Sequence, residues 1–162
     1  MSVLVVDRKE SKWEPIVHAE ELHDELLDLC NRNFGIKDLA KWLRKHYSKE
    51  SSFEEEYEKY SYMLLERKKN IDHISILLTN NLKGANSTYP TNLHECEIRR
   101  DYLNSALVNC NQLIKELQNV IDRFDVDVNI YFKYSKLIDE EIRMIKGWRQ
   151  KDNRFLRRLS EG

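Results

Sequence analysis

Apolar residues recur at steps of three and four along four long stretches of the chain. In the first stretch, from about Glu14 to Asn33, Pro15 suits the first turn of a helix, where its missing N–H is not needed. Acidic residues lie largely off the apolar stripe, and Gly35 is placed to end the helix. The pattern predicts an amphipathic first helix with a buried stripe of Ala19, Leu22, Leu26, Leu29 and Cys30.

A shorter and more basic helical pattern begins at Ile36 and is interrupted by the run SKESS. Ser52, followed three residues later by Glu55, resembles a capping box, which predicts that a helix restarts at Phe53. Negative charge is favourable in the first turns of a helix, and the restart carries Glu54, Glu55, Glu56 and Glu58. We predict an inserted helical segment over residues 36–60, with a break or bend in the helix near Tyr60.

The stretch GANSTYPTNLHECEIRRDY separates the second long helix from the third. Gly84 is expected to close one helix, and Pro90 restricts the path of the chain. Asn92 with Glu95 three positions later forms a second capping-box pattern, which predicts the start of the next helix. The stretch therefore predicts a corner between two helices and no catalytic loop.

The last apolar stripe follows the run DRFDVD, which breaks the helical period. It consists of Tyr131, Tyr134, Leu137, Ile138, Ile142, Ile145 and Trp148. Four long amphipathic segments with short connections predict an all-α fold, an antiparallel four-helix bundle with an additional helical segment between the first and second bundle helices. We expect an N-terminal extension over residues 1–13, one domain over residues 14–153 and a basic tail over residues 154–162.

The composition agrees with one helical domain. A chain of 162 residues with 41% hydrophobic and 34% charged positions can bury one core, and four glycines and two prolines are few for a fold rich in turns. The formal net charge is −1, so binding to nucleic acid has to come from a local patch.

Cysteine usage and hydropathy bear on the compartment. Cys30, Cys96 and Cys110 are odd in number and widely spaced, which disfavours a disulfide framework. Charges at the N-terminus interrupt its short apolar run, and no stretch reaches the length of a membrane span. We expect a cytoplasmic protein with no membrane partner.

The motifs of common enzyme sites are missing or incomplete. Glu20 and His23 provide the Glu-x-x-His spacing of a di-metal bundle once, without the second copy that such a site needs. Cys96 lies in a helix first turn, but its acidic neighbours oppose a lowered thiol pKa. Phosphate-binding glycine loops are absent from the sequence. We therefore predict no catalytic residue, no metal and no cofactor.

The sharpest charge asymmetry lies near the C-terminus, where a single acidic residue, Asp152, occurs between residues 143 and 158. The cations of this segment are Arg143, Lys146, Arg149, Lys151, Arg154, Arg157 and Arg158. Several of them share one side of a helix and would suit phosphate groups, although cations that end a helix explain the same pattern. Arg99 and Arg100 form a smaller basic pair, and Glu95 is placed for an intrahelical ion pair with Arg99.

Three stretches, GANSTYP, EIRRDYLNSAL and YFKYSKLIDEEIRMIKGWRQKDNR, resemble the accessory variability determinant proteins of bacterial diversity-generating retroelements, which in turn resemble the four-helix proteins of ribosomal intervening sequences. The likeness covers chiefly residues 63–154. It implies a non-enzymatic four-helix protomer that forms a homopentamer and binds a reverse transcriptase and its template RNA or an RNA–DNA hybrid. The family's basic surface would match Arg99, Arg100, Arg143, Lys146, Arg149 and Arg154.

Two features depart from the family pattern, whose best-known members are strongly basic. This chain is near neutral, and the segment over residues 36–60 is longer than a simple bundle needs. A second hypothesis therefore remains open: an oligomeric helical scaffold or phage-related interaction module that does not bind nucleic acid.

Overall fold

The computed structural model describes residues 14–46, 53–124 and 126–161. Within these ranges the regular structure is helical and contains no strand, which confirms the all-α prediction. The α-helices are α1 (Glu14–Asn31), α2 (Leu39–His46), α3 (Phe53–Ser87), α4 (Leu93–Arg123) and α5 (Phe132–Glu161). The predicted N-terminal extension, residues 1–13, and Ser52 of the first capping box lie outside the described residues.

The first helix ends two residues earlier than predicted. Asn33, Phe34 and Gly35 have positive φ angles of 51°, 58° and 85°, so the backbone leaves the helix at this point. Phe34 is fully buried, and its carbonyl accepts a hydrogen bond from the Tyr131 hydroxyl at 2.8 Å. Burial of one aromatic ring thus holds the turn in a conformation that only the glycine adopts without strain.

The inserted segment is smaller than predicted. Helix α3 runs without a break from Phe53 through Tyr60, so residues 53–60 belong to a long helix and the additional described helix is α2 alone. Trp42 of α2 packs against the rings of Tyr60 and Phe124, with centroids 5.6 and 5.3 Å away. This aromatic cluster attaches α2 to α3 and to the end of α4.

Gly84 does not end α3, which continues to Ser87. A Cβ at Gly84 would lie 2.6 Å from the ring of Tyr102, so glycine is needed here because α4 approaches closely. The hydroxyls of Ser87 and Thr88 donate to the Gly84 carbonyl at 2.9 and 3.0 Å, at the point where the helix ends. The prediction of a helix end at Gly84 was wrong because tertiary packing, and not a turn, requires this glycine.

The predicted start of α4 is confirmed. Asn92 is the N-cap residue, and its side-chain oxygen accepts from the Glu95 N–H at 2.9 Å. The Glu95 carboxylate accepts from the Thr91 N–H at 3.0 Å, so both side chains satisfy backbone donors at the corner.

The apolar stripes of α1, α3, α4 and α5 form the core. Helix α1 packs on α3 and α5, and α4 packs on the same two helices. Between α4 and α5, Asn104 lies opposite Arg149 and Arg99 lies opposite Asp152, so these two neighbours run in opposite directions. Residues 154–161 of the predicted tail continue α5 as helix.

Candidate nucleic-acid interface

The basic residues of the C-terminal segment lie on α5, and Arg99 and Arg100 lie on the neighbouring helix α4. All are exposed except Arg99 and Arg149, which are partly buried. The structure thus brings cations from two parts of the sequence to one pair of helices.

Arg99 is engaged inside the protein. Its guanidinium donates two hydrogen bonds to the Asp152 carboxylate, both 2.9 Å long, and a third of 3.3 Å to the Thr88 carbonyl. It also lies over the Trp148 ring, 5.4 Å from the centroid. The side chains of Arg99 and Asp152 are only 14% and 10% exposed. Arg99 therefore pairs with Asp152 of α5 instead of Glu95, and it fastens the corner before α4 to α5.

The burial of Asp152 changes the charge of the surface around it. Burial raises the pKa of the Asp152 carboxyl, and the Arg99 guanidinium acts against that rise. Asp152 is the sole acidic residue between residues 143 and 158. The solvent-exposed surface of this segment therefore carries cations and no carboxylate.

Arg100 and Arg149 reach across the contact between α4 and α5. The Arg100 guanidinium donates to the side-chain oxygen of Asn153, and the Arg149 guanidinium donates to that of Asn104 at 3.0 Å. Both arginines remain on the outer side of the helix pair. Sequence reasoning missed the two asparagines, because an isolated asparagine on a helix surface gives no signal of its partner.

Helical spacing divides the basic residues of α5 into two sets, which lie on different sides of the helix. Lys146, Arg149, Asn153 and Arg157 follow each other at steps of three and four residues and share the side of α5 next to α4. Arg143 borders this row, three residues before Lys146, and Arg154 lies between the two sets, three residues before Arg157 and four before Arg158. Lys151 and Arg158 lie about half a turn away from Arg149, on the other side of the helix. We give the name cationic face to the surface formed by Arg100, Arg143, Lys146, Arg149, Asn153, Arg154 and Arg157.

A second polar cluster lies between α1 and α5. His18 Nδ1 lies 2.6 Å from Glu141 Oε2, and His18 Nε2 lies 3.3 Å from Glu140 Oε2. The Glu141 side chain is fully buried, and its other oxygen has no hydrogen-bond partner among the described residues. Burial raises the pKa of the Glu141 carboxyl to about 7, and the hydrogen bond with His18 opposes part of the rise. In the sequence, Glu141 lies in phase with the apolar stripe of α5, and this phase was the signal that could have predicted its burial.

The residues tested for metal binding have separate partners. His23 contacts Asp72 at 2.8 Å, and Glu20 pairs with Lys83 at 3.3 Å. Over residues 14–46, 53–124 and 126–161, no group of three or more His, Cys, Asp or Glu side chains is arranged to hold a metal ion.

The three cysteines are buried. Burial raises the thiol pKa of Cys30 to about 11 and that of Cys110 to about 12. Burial also raises the pKa of Cys96, with the Asp152 carboxylate adding to the effect. Since the thiolate is the nucleophile, these environments disfavour thiol chemistry.

No protein-family model, curated protein or solved structure matches the chain. Among the described residues, no helix has the length and apolar character that crossing a bilayer requires.

Proposed function

We propose that the protein is a non-enzymatic accessory protein that binds the template RNA of a diversity-generating retroelement through the cationic face. The observation that supports this proposal is the row of cations on α5 beside the α4–α5 contact, because Asp152, the single acidic residue between residues 143 and 158, is removed from the surface by burial. Lys146 and Arg157 are eleven residues apart, about 16 Å along the helix axis. This length suits several consecutive phosphates of one strand.

The reverse transcriptase enters the proposal through the family resemblance of residues 63–154. In this reading α1, α3, α4 and α5 form an antiparallel four-helix bundle, and five protomers assemble in the cytoplasm around a surface that joins the polymerase to its RNA or RNA–DNA hybrid. The protein then supports mutagenic complementary-DNA synthesis without a reacting group of its own. The raised thiol pKa values and the separate partners of Glu20 and His23 support a non-enzymatic role.

The test is binding of labelled template RNA over a range of salt concentrations, with and without the reverse transcriptase. Arg100, Lys146, Arg149 and Arg157 provide four central cations, so the logarithm of affinity should fall against the logarithm of salt with a slope of about −3 to −4. The double variant Lys146→Gln with Arg157→Gln should lower affinity and reduce the slope by about 1 to 2. Absence of salt-dependent binding even with the polymerase present would sink the proposal.

That negative result would favour the helical scaffold, in which the cationic face contacts an acidic protein surface. Native mass measurement of the protein alone and with the polymerase tests both assemblies. A pentamer that takes up polymerase supports the accessory role, and an oligomer that takes up neither polymerase nor RNA supports the scaffold.

A further inference from the structure

Four side chains lie on two adjacent turns of the contact between α4 and α5. Arg100 and Asn104 lie on α4, and Arg149 and Asn153 lie on α5. Each arginine donates to the asparagine of the opposite helix. On each helix the two residues are four positions apart, about 6 Å along the axis. Two arginine–asparagine pairs therefore cross between the helices on adjacent turns, in opposite senses, and we call them the Arg–Asn square.

The chemistry of the square is one-sided. An asparagine side chain has one acceptor group, its carbonyl oxygen, and here each carbonyl accepts from a guanidinium. The remaining polar groups are guanidinium and carboxamide N–H groups, which are donors only. Over the described ranges, neither Arg100 nor Arg149 has a carboxylate within ion-pair distance. Positive charge and unused donors therefore lie together on two adjacent turns of this contact.

Such an arrangement selects an anion with several acceptor oxygens. Guanidinium groups match the oxygens of phosphate in pairs, and the asparagine contacts restrict the arginine side chains before a ligand arrives. An anion between the two guanidiniums would also offset the repulsion between them. We propose that the Arg–Asn square binds one phosphodiester group of the nucleic-acid backbone and fixes the position of the strand on the cationic face. This assignment rests on the proposed RNA binding and adds two residues, Asn104 and Asn153, to it.

A charge-neutral substitution separates this site from general attraction. The double variant Asn104→Ala with Asn153→Ala leaves the net charge unchanged but releases both guanidiniums. Its affinity for a labelled RNA hairpin at fixed salt should fall about three- to tenfold. The matched control, Asn31→Ala with Asn80→Ala, removes two exposed asparagines on other helices and should bind like the native protein.

A second comparison removes equal charge from two places. Arg100→Gln with Arg149→Gln should weaken RNA binding about tenfold more than Lys151→Gln with Arg158→Gln, because the second pair lies away from the square. Circular dichroism and thermal unfolding confirm that each variant is folded. Equal losses in the two charge variants, with no loss in the asparagine variant, would overturn the square, because binding would then depend on general positive charge and not on these four side chains. Absence of salt-dependent binding by the native protein would instead overturn the proposed function.

Discussion

Replacing Glu141 with glutamine should change how the stability of the fold depends on pH. The native carboxyl is fully buried at the contact between α1 and α5, with His18 as its hydrogen-bond partner. Glutamine has nearly the same shape and still offers an oxygen to His18, but it cannot ionise. The substitution therefore isolates the titration of one buried group.

The magnitude follows from the pKa of Glu141, which burial raises from 4.5 to about 7. A folded state that holds its proton more tightly than the unfolded state loses stability as pH rises between those two values. Each unit of difference between the folded and unfolded pKa of Glu141 corresponds to about 1.4 kcal/mol, so the native protein loses about 3 kcal/mol of unfolding free energy in total. About 2 to 3 kcal/mol of this loss falls between pH 5 and pH 8. The free energy of unfolding of the variant should therefore gain by that amount relative to the native protein over this range.

Urea unfolding monitored by circular dichroism at several pH values measures the difference. The matched control is Glu140→Gln, one residue away, because Glu140 also contacts His18 but remains 32% exposed. Its unfolding curve should follow that of the native protein within about 1 kcal/mol at every pH. Parallel pH profiles for the Glu141 variant and the native protein would show that the buried carboxyl titrates normally, and the reasoning would be refuted.

Three further predictions concern packing, the buried ion pair and the thiols. Gly84→Ala should destabilise the fold by about 1 to 3 kcal/mol in urea unfolding, since the new methyl group meets the Tyr102 ring. Gly147→Ala, whose Cβ would contact nothing within 4 Å, should stabilise the fold by about 0.5 to 1 kcal/mol. Equal gains in stability for the two variants would contradict the close contact between Gly84 and Tyr102. Asp152→Ala should cost about 3 to 5 kcal/mol by leaving Arg99 partly buried without its carboxylate, and a loss under 1 kcal/mol would make the pair unimportant. The three cysteines should react slowly with a thiol reagent in the native protein and rapidly in denaturant, and fast native labelling would contradict their burial.

Local signals in the sequence predicted most of the helical structure. The apolar stripes, the capping box at Asn92 and the restart at Phe53 each depend on residues within one or two turns of one another. The prediction of a helix end at Gly84 was wrong because local sequence patterns associate glycine with the end of a helix. Its actual role depends on Tyr102, which approaches from another helix.

For the candidate site, the sequence predicted the basic residues but not the side chains that they contact. A local partner for Arg99 was available in Glu95, but a surface pair of this kind is worth only about 0.3 to 0.5 kcal/mol. The buried pair with Asp152, 53 residues away, depends on how α4 and α5 pack. Asp152 and Glu141 both lie in phase with the apolar stripe of α5, which is the sequence signal for burial, but that phase does not identify their partners.

The near-neutral net charge does not prevent a cationic surface, because the charges are separated along the helices. Asn81 contacts Asn109 and Arg67 contacts Glu116, so α3 runs opposite to α4, as α5 also does. Helices α3 and α5 therefore run in the same direction, and the acidic start of α3, Glu54–Glu58, lies at the opposite end from the C-terminal half of α5. Basic residues of α2 lie beside that acidic start, where Arg44 stacks on Phe53 at 5.2 Å. Since the Debye length at physiological salt is about 8 Å, these distant carboxylates should not neutralise the cationic face. The RNA binding that we propose would then depend on this local surface and should be strongly weakened by salt, although the whole chain carries a charge of −1.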